Sequence, residues 1–110
     1  MIFVPPREPT QRTIAFRRIA DAALGRAESI VQRWLPDGKR EGAEWVAINP
    51  RRTDNRKGSF KINLKTGRWG DFATGDRGGD LISLASYLHR ISQAEAAKRL
   101  AEMVGVSSHE

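Results

Sequence analysis

No cysteine occurs among the 110 residues, which excludes disulfides and thiolate metal sites. His89 and His109 are the only imidazoles, too few for a conventional structural zinc centre. No serine stands with a histidine and an acid in a recognised motif. There is also no phosphate-binding Walker loop and no His-Glu-x-x-His pair, so the chain by itself reads as a non-catalytic module. Long apolar runs are missing as well. Met1-Ile-Phe-Val is apolar, but Pro5-Pro6 and Arg7 end it far short of a signal sequence, and a cytoplasmic chain with no membrane partner is expected.

What the chain has in excess is positive charge, and that charge is localised. The formal net charge is +6. Between Arg51 and Arg68 lie seven basic residues (Arg51, Arg52, Arg56, Lys57, Lys61, Lys65, Arg68) against one acid, Asp54. Cations gathered on one loop and one hairpin suit a polyanionic partner. The plainer alternative is a set of solubilising surface charges.

The stretch Gly58 to Asp80 organises the rest. Phe60, Ile62 and Leu64 alternate with Lys61, Asn63 and Lys65, giving a strand with one apolar and one basic face. Lys65-Thr66-Gly67 forms the hairpin connection, with glycine supplying a positive φ. Arg68 to Phe72 is the return strand, and Gly75 to Asp80 leads into a helix that Asp80 caps. In a regular register Phe72 joins the Phe60 face and Trp69 joins the cations, where bases stack on the ring while Lys61, Lys65 and Arg68 neutralise phosphates. The rival reading packs Trp69 under the first helix as core. The glycine-rich turn with Arg77 has two readings too: a tight packing turn, or an anion site at a helix start. Oxygen ligands for a divalent metal (Asp54, Asp71, Asp76, Asp80) are a minor alternative, since Asp80 serves as a cap and Asp76 as a turn former.

The flanks supply cover. Residues 1–12 hold three prolines and form an extended arm. From Thr13 to Leu35, Phe16, Ile19, Ala23, Ala27, Ile30, Val31 and Trp34 make a helical apolar stripe, with Gly25 as a kink or break. Lys39 to Ala43 is a polar connection and Glu44 to Asn49 a strand. Ser92-Gln93-Ala94-Glu95 is a capping box opening a last helix that stops at Gly105. The expected fold is α+β: an antiparallel sheet of three or more strands covered by an N-terminal helix and two C-terminal helices. One domain spans 13–106, with a frayed end at 107–110.

Ser59-Phe60, Gly67-Arg68-Trp69, Asp71-Phe72, Gly75, Gly78-Gly79-Asp80 and the Ser92 to Leu100 segment resemble the zinc-ribbon domain of bacterial and phage DNA primases. That family carries a Cys-Pro-x-His element, a Ser-Phe strand, a Cys-Phe-x-Cys-Gly knuckle and a glycine-rich turn before a helix. Here Asn49-Pro50-Arg51-Arg52 and Asp71-Phe72-Ala73-Thr74-Gly75 stand at the two metal elements. The four ligand positions are thus Asn49, Arg52, Asp71 and Thr74, and none keeps a family ligand. One residue more separates Gly75 from Gly78 than in the commonest version.

The resemblance implies a metal-free, degenerate ribbon of the kind at the N-terminus of phage and plasmid primase-helicase proteins. It implies a replication module that binds DNA template, single strands preferred and RNA allowed, with a primase or helicase as protein partner and no cofactor. Arg51, Arg52, Arg56, Lys57, Lys61, Lys65, Arg68, Trp69 and Arg77 are the expected nucleic-acid contacts. A protein-interaction adaptor docking through Trp34 or Trp69 is the alternative.

Overall fold

The computed structural model describes residues 14–52 and 58–109. The expected arm at 1–12, the loop residues Arg56 and Lys57, and Glu110 lie outside the described residues. The fold is α+β. Two short helices, α1 (Phe16–Leu24) and α2 (Ala27–Trp34), precede a five-stranded sheet of β1 (Lys39–Glu41), β2 (Glu44–Ala47), β3 (Phe60–Asn63), β4 (Trp69–Asp71) and β5 (Arg77–Gly78). Helices α3 (Leu81–His89) and α4 (Gln93–Val104) follow. The sheet is an antiparallel meander in sequence order.

The apolar stripe of the first 35 residues is divided at Gly25-Arg26, where helical pairing lapses. Each half keeps its buried positions, Ile19 and Ala23 on α1, Ile30 and Val31 on α2. Phe16 leaves the stripe and is 43% exposed. Helix α1 packs with α3 and α4, while α2 lies against β2. Between helices and sheet sit Trp45, Ala47, Phe60, Ile62 and Trp69, facing Leu81, Ile82, Leu84 and Leu100.

Two strands were not expected. Lys39–Glu41 has no apolar residue and is exposed throughout, and it is held as an edge by backbone pairing to β2. The two-residue turn Gly42-Ala43 joins the pair, with Gly42 at φ +64°. The dipeptide β5 pairs with β4 through Trp69↔Gly78 and Gly70↔Arg77, so part of the glycine-rich turn is itself an edge strand.

The hairpin tip forms as expected, with Gly67 at φ +79° and its amide donating to the Asn63 carbonyl at 2.8 Å. Asn63 adds a local lock, its side-chain oxygen accepting from the Lys65 and Thr66 amides at 2.8 and 3.0 Å.

Both C-terminal helices start at the expected caps. Asp80 accepts from the Ser83 amide at 2.8 Å, and the Ser83 hydroxyl closes a reciprocal box. Ser92 accepts from the Glu95 amide at 3.0 Å; the Glu95 carboxylate takes a hydrogen bond from Arg99. Gly105 ends α4 at φ +74°. The frayed end expected at 107–110 is corrected for 107–109. His109 forms a β-bridge with Ile14, the Ala15 amide donates to the Ser108 carbonyl at 3.1 Å, and Arg18 donates to the Ser107 and His109 carbonyls. Backbone groups that would otherwise only meet water thus join the start of α1 to the segment after α4.

Gly78 is required by close approach. A Cβ there would fall 2.3 Å from Ser83 Oγ and 2.4 Å from Trp69 Nε1, the two atoms that hydrogen-bond at 2.9 Å. Gly78→Ala should therefore destabilise the fold by about 1–3 kcal/mol through overpacking. Chemical denaturation with Trp fluorescence measures this, and an unchanged midpoint would show that the indole–hydroxyl bond does not anchor β5.

Candidate nucleic-acid interface

The register decides which side chains are free to meet a partner. Phe60 opposes Asp71 and Ile62 opposes Trp69, so Trp69 and Asp71 share the core face with Phe60 and Ile62. Trp69 is 6% exposed, edge-on to Phe60 with centroids 6.2 Å apart, and its indole donates to Ser83. The expected stacking role of Trp69 on the cationic face is thereby corrected, because opposing partners in an antiparallel pair project to the same side. Phe72 takes the outward place. It is 81% exposed, and Lys61 Nζ lies 6.0 Å from its ring centroid.

The same register lines up an outer row across all five strands: Lys39, Val46, Lys61, Gly70 and Arg77. Gly70, lacking a side chain, leaves a dip between Lys61 and Arg77. A concavity of about 360 Å³ opens there, lined by Lys61, Asn63, Arg68, Gly70, Phe72 and Arg77, with the half-buried Glu44 as its acid. Lys65 is exposed on the hairpin turn just outside this lining. Lys39 was missed from sequence because its strand was missed; its pairing with Val46 is the signal that places it. Among the described residues, no ion pair involves Lys61, Arg68 or Arg77.

Arg51 and Arg52 part company. Arg51 is exposed, with its guanidinium carbon 4.6 Å from the Tyr87 ring centroid, and it lines a second concavity that adjoins the first at Trp69 and Arg77. Arg52 turns into the fold. Its side chain is 14% exposed, donates to Ser59 Oγ at 2.8 Å and pairs with the Asp71 carboxylate at 3.4 Å. The expectation that Arg52 contacts nucleic acid is corrected accordingly.

Arg52 belongs to a buried polar node. Asn49 and Asp71 are each 1% exposed. Asn49 Nδ2 donates to Asp71 Oδ2 at 2.9 Å and to the Tyr87 hydroxyl at 2.8 Å, while its Oδ1 accepts from the Arg51 amide at 2.9 Å. Asp71 Oδ1 accepts from the Ala73 amide at 2.9 Å. Tyr87 passes its own proton toward Asp76 Oδ2 at 2.8 Å. Among the described residues no buried side-chain polar atom lacks a partner.

Three of the four positions matched to ribbon ligands, Asn49, Arg52 and Asp71, thus meet in space. Thr74 stands apart, exposed, with its hydroxyl accepting from the Asp76 amide at 3.2 Å. This donor set does not fit zinc. A guanidinium occupies one ligand position, the Asn49 amide and the Asp71 carboxylate are engaged in hydrogen bonds, and no cysteine exists in the chain. Among the described residues no three acidic, histidine or cysteine side chains gather as a metal site.

No family model matches this chain, and no curated protein matches it. Among solved structures it is similar to the Aquifex aeolicus primase (zinc binding and RNA polymerase domains), with a TM-score of 0.71 and 21% identity over 86% of this chain. The match spans 22% of that primase, so this chain corresponds to about a fifth of its length. The likeness establishes the fold: a primase-like α+β architecture in which the aligned chain carries no ribbon cysteines. No helix among the described residues is long and apolar enough to cross a membrane.

Burial opposes ionisation of Asp71, but hydrogen bonds from Asn49, the Ala73 amide and Ser59, with the Arg52 charge, outweigh it and hold the carboxyl below its ordinary value. A depressed folded-state pKa contributes stability above the unfolded value of roughly 3.9, lost as pH falls through the folded value. Wild-type stability should therefore decline on acidification below about pH 4, and Asp71→Asn should flatten that decline. Asp71→Ala, which removes the carboxylate shared by Arg52, Asn49 and the Ala73 amide, should cost about 3 kcal/mol at neutral pH. Urea titrations across pH read both; a loss below 1 kcal/mol would assign the node no structural weight.

Proposed function

We propose that this chain is a non-catalytic nucleic-acid-binding module that holds a DNA template, single strands preferred, for a primase or helicase of a phage or plasmid replication system. The observation that carries the proposal is the outer sheet face, where the exposed Phe72 ring, with Lys61 Nζ 6.0 Å from its centroid, shares the concavity at Gly70 with Arg68 and Arg77. An aromatic platform among cations binds single strands by stacking bases while neutralising phosphates. The likeness to a solved primase supports the replication setting. The mobile-element setting rests on the resemblance of the cysteine-free motif to metal-free ribbons. RNA satisfies the same surface. The chain serves a catalytic partner and performs no chemistry of its own.

A second reading, a protein adaptor, draws on a groove of about 390 Å³ between α2, α3 and α4. Trp34 lines it, edge-on to His89 at 5.7 Å. With Trp69 buried, Trp34 is the remaining tryptophan for that role.

Anisotropy titrations with labelled single-stranded DNA, duplex DNA and RNA at several salt concentrations test the binding reading. Replacing Lys61 and Arg68 by alanine together should lower the slope of log K against log salt by about 1.4 for single strands. Phe72→Ala should weaken binding by about 1–3 kcal/mol, since its exposed ring contributes stacking and little core. Unchanged affinity in both variants would overturn the proposal and leave the adaptor.

A further inference from the structure

A second concavity of about 470 Å³ lies round the β5 edge from the sheet face, sharing Trp69 and Arg77 with the first. Arg51, Arg77 and Arg90 line it, together with Tyr87 and Gln93. These three arginines come from the loop after β2, from the edge strand and from the end of α3, so the fold rather than a local charge run brings them together. Among the described residues no carboxylate lines the space. Among the described residues none of the three is in an ion pair, and the adjacent Asp76 carboxylate accepts from the Tyr87 hydroxyl. Arg90 sits at φ 56°, ψ 47°, a left-handed position that favours glycine and that costs an arginine conformational energy.

The other groups narrow the ligand chemistry. Tyr87 offers no open platform for a base, since Arg51 lies over its ring and Trp69 packs 4.7 Å from it. The serine hydroxyls at the pocket are engaged, Ser83 donating to the Asp80 carbonyl at 2.8 Å and Ser86 to the Ile91 carbonyl at 2.6 Å. What is left to recognise a ligand is the Gln93 amide and, as the charged groups, guanidinium, which pairs with phosphate oxygens through two parallel donors. Three such groups match a phosphate carrying more charge than one internal phosphodiester.

We propose that this pocket is a binding site for a multiply charged phosphate group. Two sources share that chemistry: the 5′-terminal phosphate of a strand lying on the sheet face, or the polyphosphate of a free nucleotide. The first source rests on the nucleic-acid reading above; the second does not.

The test uses the full chain with three probes: a labelled 5′-hydroxyl oligonucleotide, the same oligonucleotide 5′-phosphorylated, and inorganic tripolyphosphate titrated by calorimetry against sulfate at matched ionic strength. Arg90→Gln is the variant, because Arg90 lies outside the sheet-face concavity. The wild type should bind the phosphorylated strand about 5- to 10-fold tighter than the hydroxyl strand. Arg90→Gln should reduce that ratio to below about twofold and leave the hydroxyl-strand affinity unchanged. The magnitudes follow from removing one charge-assisted contact. Arg90-dependent tripolyphosphate binding without a 5′-phosphate preference would support the site and assign it to free nucleotides. Equal affinity for the two strand ends, with tripolyphosphate behaving as sulfate does, would overturn the pocket whatever the hydroxyl strand does. Failure of the hydroxyl strand alone to bind would instead overturn the sheet-face reading.

Discussion

The hydrogen-bonded node of Asn49, Asp71 and Arg52 ties the end of the β2 segment to β4, at the place where a ribbon fold would use a metal to clasp two knuckles. Magnitudes show what such a node does and does not supply. A structural zinc contributes on the order of 10–16 kcal/mol to folding, whereas a protein hydrogen bond nets about 1 kcal/mol and one to a charged group somewhat more. A handful of such bonds therefore falls short of an ion. The remainder comes from burial: Trp45, Phe60, Ile62 and Trp69 close against helices on one side of the sheet. The node contributes geometry above all. With each buried side-chain polar atom among the described residues partnered, it favours one arrangement of the β2 end and β4, and a buried carboxylate punishes alternatives.

That arrangement determines the cationic outer face of the sheet. With Asp71 inside, Trp69 must be inside as well, and Gly70 and Phe72 must be outside. A register slip by one residue would bury Phe72 and Lys61 in exchange for Trp69 and Ile62. The polar node and the cationic face are two sides of one constraint. Gly70, between Lys61 and Arg77 in the outer row, and Gly78 beneath the Trp69 indole mark where the two sides meet.

Much of this was legible in the chain. Period-2 alternation from Phe60 to Leu64 located the central strand, Asp80 and Ser92 announced the helix starts, Gly67 took the positive φ expected of it, and Gly105 ended α4 as expected. The edge strands were not legible, since Lys39–Glu41 and Arg77–Gly78 bury nothing and exist only through backbone pairing to neighbours already in place. The choice between Trp69 and Phe72 as the outward ring was undecidable from alternation, which gives two faces without saying which is in. Asp71 decides it: a carboxylate that meets Asn49 and Arg52 across 22 and 19 residues of sequence is a tertiary fact. Arg51 and Arg52, adjacent and alike, diverge for the same reason. One follows the node inward and the other rests on Tyr87.

The account stands or falls on a fold that holds its cationic face without an ion. Thermal unfolding of the freshly purified chain, with and without a strong chelator and alongside elemental metal analysis, tests this most directly. The account predicts one cooperative transition at an unchanged midpoint and no stoichiometric metal. A chelator-induced drop in the midpoint, or one equivalent of bound zinc, would contradict it.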